Sequence, residues 1–235
     1  MPFRLVRRIL IATFAVGLVP LTGTAAFGST KPTVSSVLKA AKRAVVSEKS
    51  VHIVVSSTSG TTKNHVRADL GVSSGQEYFT SGNAAISIVV TPKYVYLSGN
   101  AKGLENLIGL TSAQQKKVGT KVIVIKAGTS PYASFQSNLT VVAFASFLPT
   151  STGVSLGRDR HGNYVLSWSK AATSSTAKTT SVLTISKGHQ ALPMSEVVKG
   201  GGGGGTTTFT RWGKSFSVTI PKHANTIAYT SVVTG

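Results

Sequence analysis

Six carboxylates and five histidines are the groups from which a proton-transfer or metal centre would have to be built: Glu48, Asp69, Glu77, Glu105, Asp159 and Glu196, with His52, His65, His161, His189 and His223. The acids are scattered, and no two are placed as an acid/base couple would require. The histidines are isolated, without the HExxH or His-x-His spacing that converges on one ion, so no metal and no cofactor is expected. Serine is abundant, yet no G-x-S-x-G elbow presents one as a nucleophile. A phosphate loop at the glycine run 200–205 would need a following helix and a Lys-Ser/Thr pair. Thr206-Thr207-Thr208-Phe209 is strand-like instead, so the glycines read as a flexible hairpin loop. No enzyme is expected. The residue types left to work with are apolar. Tyr94, Tyr96, Phe135, Phe144, Phe147 and Trp168 could line a cavity for acyl chains or fill a packed core, and periodicity does not distinguish the two.

Strands and helices must position these rings. Val34, Val37, Leu38, Ala41 and Val45 recur at helical spacing over 33–46, with Lys39, Lys42 and Arg43 off the stripe. From residue 51 the period changes to two: Val51, Ile53 and Val55, then Val66, Ala68, Leu70 and Val72. Further strands at 76–80, 84–91 and 94–98, with turn residues between, give a meander of antiparallel hairpins. The middle differs, with short helices near 104–110 and 112–118, a β-branched strand at 121–126 and a helical stretch over 132–148 that Pro149 ends. Strands resume at 164–169, 180–187, 192–199, 209–212 and 216–220. The spacing thus predicts an α+β domain over 29–235, two β-halves flanking a helical insert near 100–150. Parity on the helix-facing side selects Val51, Ile53, Val55, Leu70, Ile88, Tyr96, Phe144, Phe147 and Trp168 as ligand-lining residues. A one-residue register error would turn any strand's choice to the wrong face.

The N-terminus sets the compartment. Arg4, Arg7 and Arg8 precede an uncharged run over 9–21, and small residues Thr24, Ala25, Ala26 and Gly28 follow, the order of a secretory signal peptide over 1–28. The run has 13 residues, against the roughly 20 of a membrane-spanning helix, which disfavours an uncleaved signal-anchor. The chain carries 25 Lys+Arg and 6 Asp+Glu. Loss of the three leader arginines leaves 22 basic against 6 acidic side chains, a charge of +16. For an exported protein such a surface points to anionic membrane or cell-wall polymer. The basic residues are mostly Lys spread along the chain, without arginine clusters or interleaved stacking platforms, which argues against nucleic acid. There is no cysteine. Stability must come from an apolar core, and acylation at a lipoprotein cysteine is impossible, so the expected protein is secreted or held at the envelope by charge, and monomeric.

The order of the segments resembles one family. Ser50-Val51-His52-Ile53, Arg67-Ala68-Asp69-Leu70, Lys93-Tyr94-Val95-Tyr96-Leu97, Gly119-Thr120-Lys121-Val122-Ile123-Val124, Leu192-Pro193, and Phe209-Thr210-Arg211-Trp212-Gly213 before Val218-Thr219-Ile220-Pro221 resemble the actinobacterial LppX/LprG-type envelope lipoproteins of LolA/LolB-like fold. That resemblance implies a strongly curved antiparallel sheet, a half-open barrel with helices on its concave side, and a hydrophobic cavity for an acylated lipid or lipoglycan. Two departures are the missing acylated cysteine and Val122 at a position where related sequences often carry tryptophan. The competing expectation is a basic module with a packed core that binds anionic cell-wall polymer.

Overall fold

Helix α1, Val34–Glu48, begins where the Thr33 hydroxyl accepts from the Ser36 amide at 3.2 Å and the Ser36 hydroxyl accepts from the Thr33 amide at 2.9 Å. This reciprocal cap satisfies two otherwise orphaned donors. The helix buries Val37, Leu38, Ala41, Ala44 and Val45 on one stripe and ends at Lys49, which adopts a left-handed conformation with φ 62°. In the computed structural model the described residues are 31–172, 178–188, 190–222 and 225–234. The leader expected at 1–28, His189 and His223 lie outside them.

Twelve strands follow: β1 Val51–Ser59, β2 Thr62–Leu70, β3 Gly75–Ser81, β4 Ala84–Val90, β5 Tyr94–Gly99, β6 Val122–Lys126, β7 Ser155–Arg158, β8 Tyr164–Lys170, β9 Thr179–Ile185, β10 Pro193–Gly200, β11 Gly203–Thr210 and β12 Thr226–Ala228. They form one sheet in the order β12-β6-β5-β4-β3-β2-β1-β11-β10-β9-β8-β7, antiparallel except where β12 lies parallel to β6. The two β-halves are therefore continuous. Strand β1 joins them, because Ile53 stands opposite Ala68 of β2 on one side and Phe209 of β11 on the other. The sheet is curved and unclosed, with the helices on its concave side.

Alternation decides the faces. Val51 and Ile53, Val66, Ala68 and Leu70, Phe79, Ile86, Ile88 and Val90, and Val95 and Leu97 are buried toward the helices, while their sequence neighbours are less so. The helical insert contributes α2 Ala101–Gly103, which runs into a π-helical turn Leu104–Ile108, then α3 Ser112–Val118, α4 Ser130–Gln136 and α5 Val141–Phe147. A last helix, α6 Tyr229–Val233, follows β12.

The structure departs from the sequence expectation at several elements. The continuous helix over 132–148 is two helices, since Thr140 caps α5 and the Val141 amide donates to the Gly71 carbonyl at 2.9 Å, stitching the break to the β2–β3 turn. The glycine run is only partly a loop. Gly201 and Gly202 make the turn, while Gly203, Gly204 and Gly205 are paired with both β1 and β10. Two flanking ladders offset the backbone entropy of glycine, and close approach requires it: a Cβ on Gly203 would overlap the Thr58 carbonyl oxygen. Residues 216–220 form no strand, because both sides of β11 are already taken by β1 and β10. Strands β7 and β12 and helix α6 carry no signal strong enough to be read beforehand.

Candidate functional site

The concave face holds a small apolar cavity between the sheet and α5. Its walls are Ile53 and Val55 of β1, Trp168 of β8, Leu183 of β9, Glu196 of β10, and Thr207 and Phe209 of β11; its roof is Phe144 and Phe147 of α5 with Leu148 and Pro149. The cavity volume is about 70 Å³. The roof is fixed by ring contacts, Phe144 lying 5.1 Å from Phe209 and 6.0 Å from Trp212 between centroids. Trp212 is in turn anchored by an indole N–H that donates to the Pro193 carbonyl at 3.1 Å.

Five of the nine residues selected from sequence meet here: Ile53, Val55, Phe144, Phe147 and Trp168. Val51, Leu70 and Ile88 lie elsewhere in the packed core, each at most 3% exposed. Tyr96 is on the opposite face of the sheet, because the core positions of β5 are Val95 and Leu97; its ring lies 6.0 Å from that of Tyr94, also outward.

The lining residue that parity conceals is Glu196. Strand β10 carries a bulge between Pro193 and Ser195, so Pro193 opposes Ile185 while Ser195 opposes Thr184 and Glu196 opposes Leu183. Strict alternation from the buried Pro193 would turn Ser195 and Val197 inward; the extra residue, Met194, turns Glu196 inward instead. Burial pushes the Glu196 carboxyl up to about 7, partly opposed by a hydrogen bond from the Ser181 side chain. Among the described residues that line the cavity, it alone is titratable. Phe209 and Leu183 were legible as alternating apolar strand positions. Pro149 was legible as a helix stop, but nothing marked it as part of a roof.

A second carboxyl is buried deeper. Glu77 of β3 is 2% exposed, stands opposite Ala68 and Ile88, and neither of its oxygens has a hydrogen-bond partner. Desolvation raises it from 4.5 to about 8, so at neutral pH it is the uncharged acid.

The outer face gathers polar groups in two separate clusters. His52 Nδ1 and Asp69 Oδ1 are 2.7 Å apart, and Gln76 donates to Asp69 Oδ2 at 2.8 Å. Ser56 pairs with a different histidine, His65, at 3.3 Å, and Arg67 donates to His65 Nε2 at 3.1 Å. Serine and carboxylate thus do not converge on one imidazole, as nucleophilic catalysis needs. Among the described residues no three of His, Asp and Glu gather in a way that could hold a metal ion, and no helix is long and apolar enough to cross a membrane. An open groove of about 970 Å³ lies along the hairpin ends, lined by residues that include Lys63, Lys199, His65, Thr58, Thr80 and Thr206.

No protein-family profile matches the chain, and no curated protein does. Among solved structures it is similar to LprF from Mycobacterium bovis, with 18% identity and a TM-score of 0.46 over 83% of this chain and 99% of that one. It is also similar to the lipoprotein LppX from Mycobacterium tuberculosis, with 13% identity and a TM-score of 0.42 over 80% and 100% of the two chains. An uncharacterized conserved protein from Thermus thermophilus is similar at 13% identity and a TM-score of 0.40, over 82% and 96%.

Proposed function

We propose that this protein is an extracytoplasmic carrier or binding protein for a hydrophobic ligand, an acylated lipid or lipoglycan, whose chains enter between the sheet and α5. The observation that carries the reading is the apolar cavity whose walls are contributed by five adjacent or near-adjacent strands and whose roof is a seven-residue helix. Each buried methylene contributes about 0.8 kcal/mol, so hydrocarbon alone supplies the affinity and no catalysis is required.

At about 70 Å³ the cavity is well below the roughly 300–1,000 Å³ of ligand pockets, so cargo uptake requires the roof to lift. Helix α5 is suited to this. It is tied to the sheet by a backbone hydrogen bond at its N-terminal end, from Val141 to Gly71, whereas its far end is held by the packing of Leu148, 6% exposed, and the buried Pro149. Rotation about the tied end would clear Phe144 and Phe147 from the opening. The excess of basic side chains would hold the exported protein at anionic membrane or polymer, without an acyl anchor.

The test is native mass spectrometry with lipid extraction on protein purified from its own host without detergent. A co-purifying lipid of defined mass supports the carrier; a clean unliganded mass, with no later uptake of a hydrophobic probe, removes it. A second reading, a basic module for anionic cell-wall polymer, is favoured by the open groove of Lys63, Lys199 and hydroxyl side chains, which no carboxylate lines. That reading requires polymer binding that weakens with added salt and persists when the apolar cavity is blocked.

A further inference from the structure

We propose that Glu196 reads the polar end of the cargo: as the uncharged acid it donates a hydrogen bond to a neutral ester or hydroxyl group, and as the carboxylate it expels the ligand. This deepens the carrier reading and rests on it. The β10 bulge is the geometric argument. Without the extra residue Met194, the inward positions of β10 after Pro193 would be Ser195 and Val197, and the cavity wall would carry no titratable group. The bulge instead aims one carboxyl among Trp168, Leu183, Phe144 and Phe209. Bulges recur beside functional sites because they re-aim a side chain without disturbing the strands on either side.

Among the described residues, none that lines the cavity with Glu196 supplies a compensating charge. The cavity residues from β1, β8, β9, β11 and α5 are all uncharged, and Ser181 contributes only a hydroxyl. Lys199 lies on the same strand but at odd spacing, hence on the other face. Burial accordingly keeps the group near half-protonated at neutral pH. A ligand that displaces water from the cavity favours the acid further, and so takes up a proton on binding. A fatty-acid anion would add a second unpaired charge beside the carboxylate; a neutral acyl ester or alcohol would not.

The test uses the whole mature protein with an uncharged probe, a pyrene-labelled monoacylglycerol, so that any pH dependence belongs to the protein. Affinity is expected to fall about 30-fold from pH 6 to pH 8.5, since the upper value lies about 1.5 units above the empty-site midpoint. Glu196→Gln, which keeps the shape and a donor, is expected to bind with the pH 6 affinity at both values. Glu196→Leu is expected to lose the preference for the ester over a pyrene-labelled alkane, worth about tenfold for one buried hydrogen bond. Probe uptake that is independent of pH, or a pH dependence that survives in Glu196→Gln, overturns the proposal while leaving the carrier intact. Absence of uptake by all three proteins at both pH values overturns the carrier reading and this one with it.

Discussion

The ring of Phe144 lies 5.1 Å from that of Phe209, tilted by 48°, and this pair closes the cavity by joining the roof helix to the floor strand. Both rings are largely buried, at 8% and 6% exposure. The same contact that stabilises the unliganded chain therefore occludes the site, and a ligand must replace it.

Truncation at this pair is expected to separate stability from capacity. Phe144→Ala should cost roughly 3–5 kcal/mol, as for other buried aromatic deletions, while enlarging the cavity. Urea unfolding measures the first effect and titration with Nile red the second, the dye being uncharged so that the basic surface does not attract it. Weaker dye uptake in the folded variant than in the wild type would show that Phe144 is a wall of the binding surface rather than its cover.

Trp212 positions the neighbouring strand bulge. Its indole donates to the Pro193 carbonyl at 3.1 Å, one residue before the extra Met194. Trp212→Phe keeps an aromatic ring beside Phe144 but removes the donor together with part of the indole's packing surface, leaving that carbonyl without this partner. A loss of about 1–3 kcal/mol is expected, read as a lowered urea midpoint with an unchanged slope. An unchanged midpoint would mean that water replaces the indole without cost.

The sheet was largely legible in the sequence because half-buried strands must alternate: β1, β2, β4, β5 and β8 were each within a few residues of their observed ranges, and Ile53, Val55 and Trp168 fell on the correct face. Legibility failed where a tertiary contact overrides a local pattern. Gly203 to Gly205 read as loop because the ladders on both sides, with β1 and β10, depend on residues far along the chain. Tyr96 was placed inward by a parity that is out by one residue in this strand, since Val95 and Leu97 hold the core phase of β5. Glu196 was hidden by the bulge, since parity counted from Pro193 is wrong by one after Met194. The break between α4 and α5 depends on the bond from the Val141 amide to Gly71, which no helical periodicity encodes.

Gly203 tests the junction between the two β-halves. A Cβ there would overlap the Thr58 carbonyl in the ladder that joins β11 to β1, and the obstruction is backbone, which cannot rotate away. Gly157, in edge strand β7, has its nearest obstruction at 3.9 Å, ordinary contact distance. Gly203→Ala is therefore expected to lower the thermal midpoint by several degrees and Gly157→Ala to leave it nearly unchanged. Equal midpoints for the two variants would mean that β1 and β11 separate readily, and that the halves are not mechanically one sheet.

Glu77 makes stability depend on pH in a direction opposite to that of a salt-bridged carboxylate. The group holds its proton in the folded chain up to about pH 8 but releases it near 4.5 when unfolded. Between these values the native state binds one proton more than the unfolded state, so raising the pH favours unfolding. The full contribution is present below about pH 4.5, falls by on the order of 1.4 kcal/mol per pH unit across the window, and levels off above pH 8. Glu196, raised to about 7, adds a decline of the same sign over the narrower window between about pH 4.5 and 7. Glu77→Gln is neutral at every pH and nearly the same shape, so it should match the wild type near pH 4 and exceed it at pH 8.5. Urea unfolding at the two pH values measures the difference. Parallel profiles for variant and wild type would mean that the carboxyl reaches water or a partner in solution, and that its burial between Ala68 and Ile88 is relieved by local opening of the sheet.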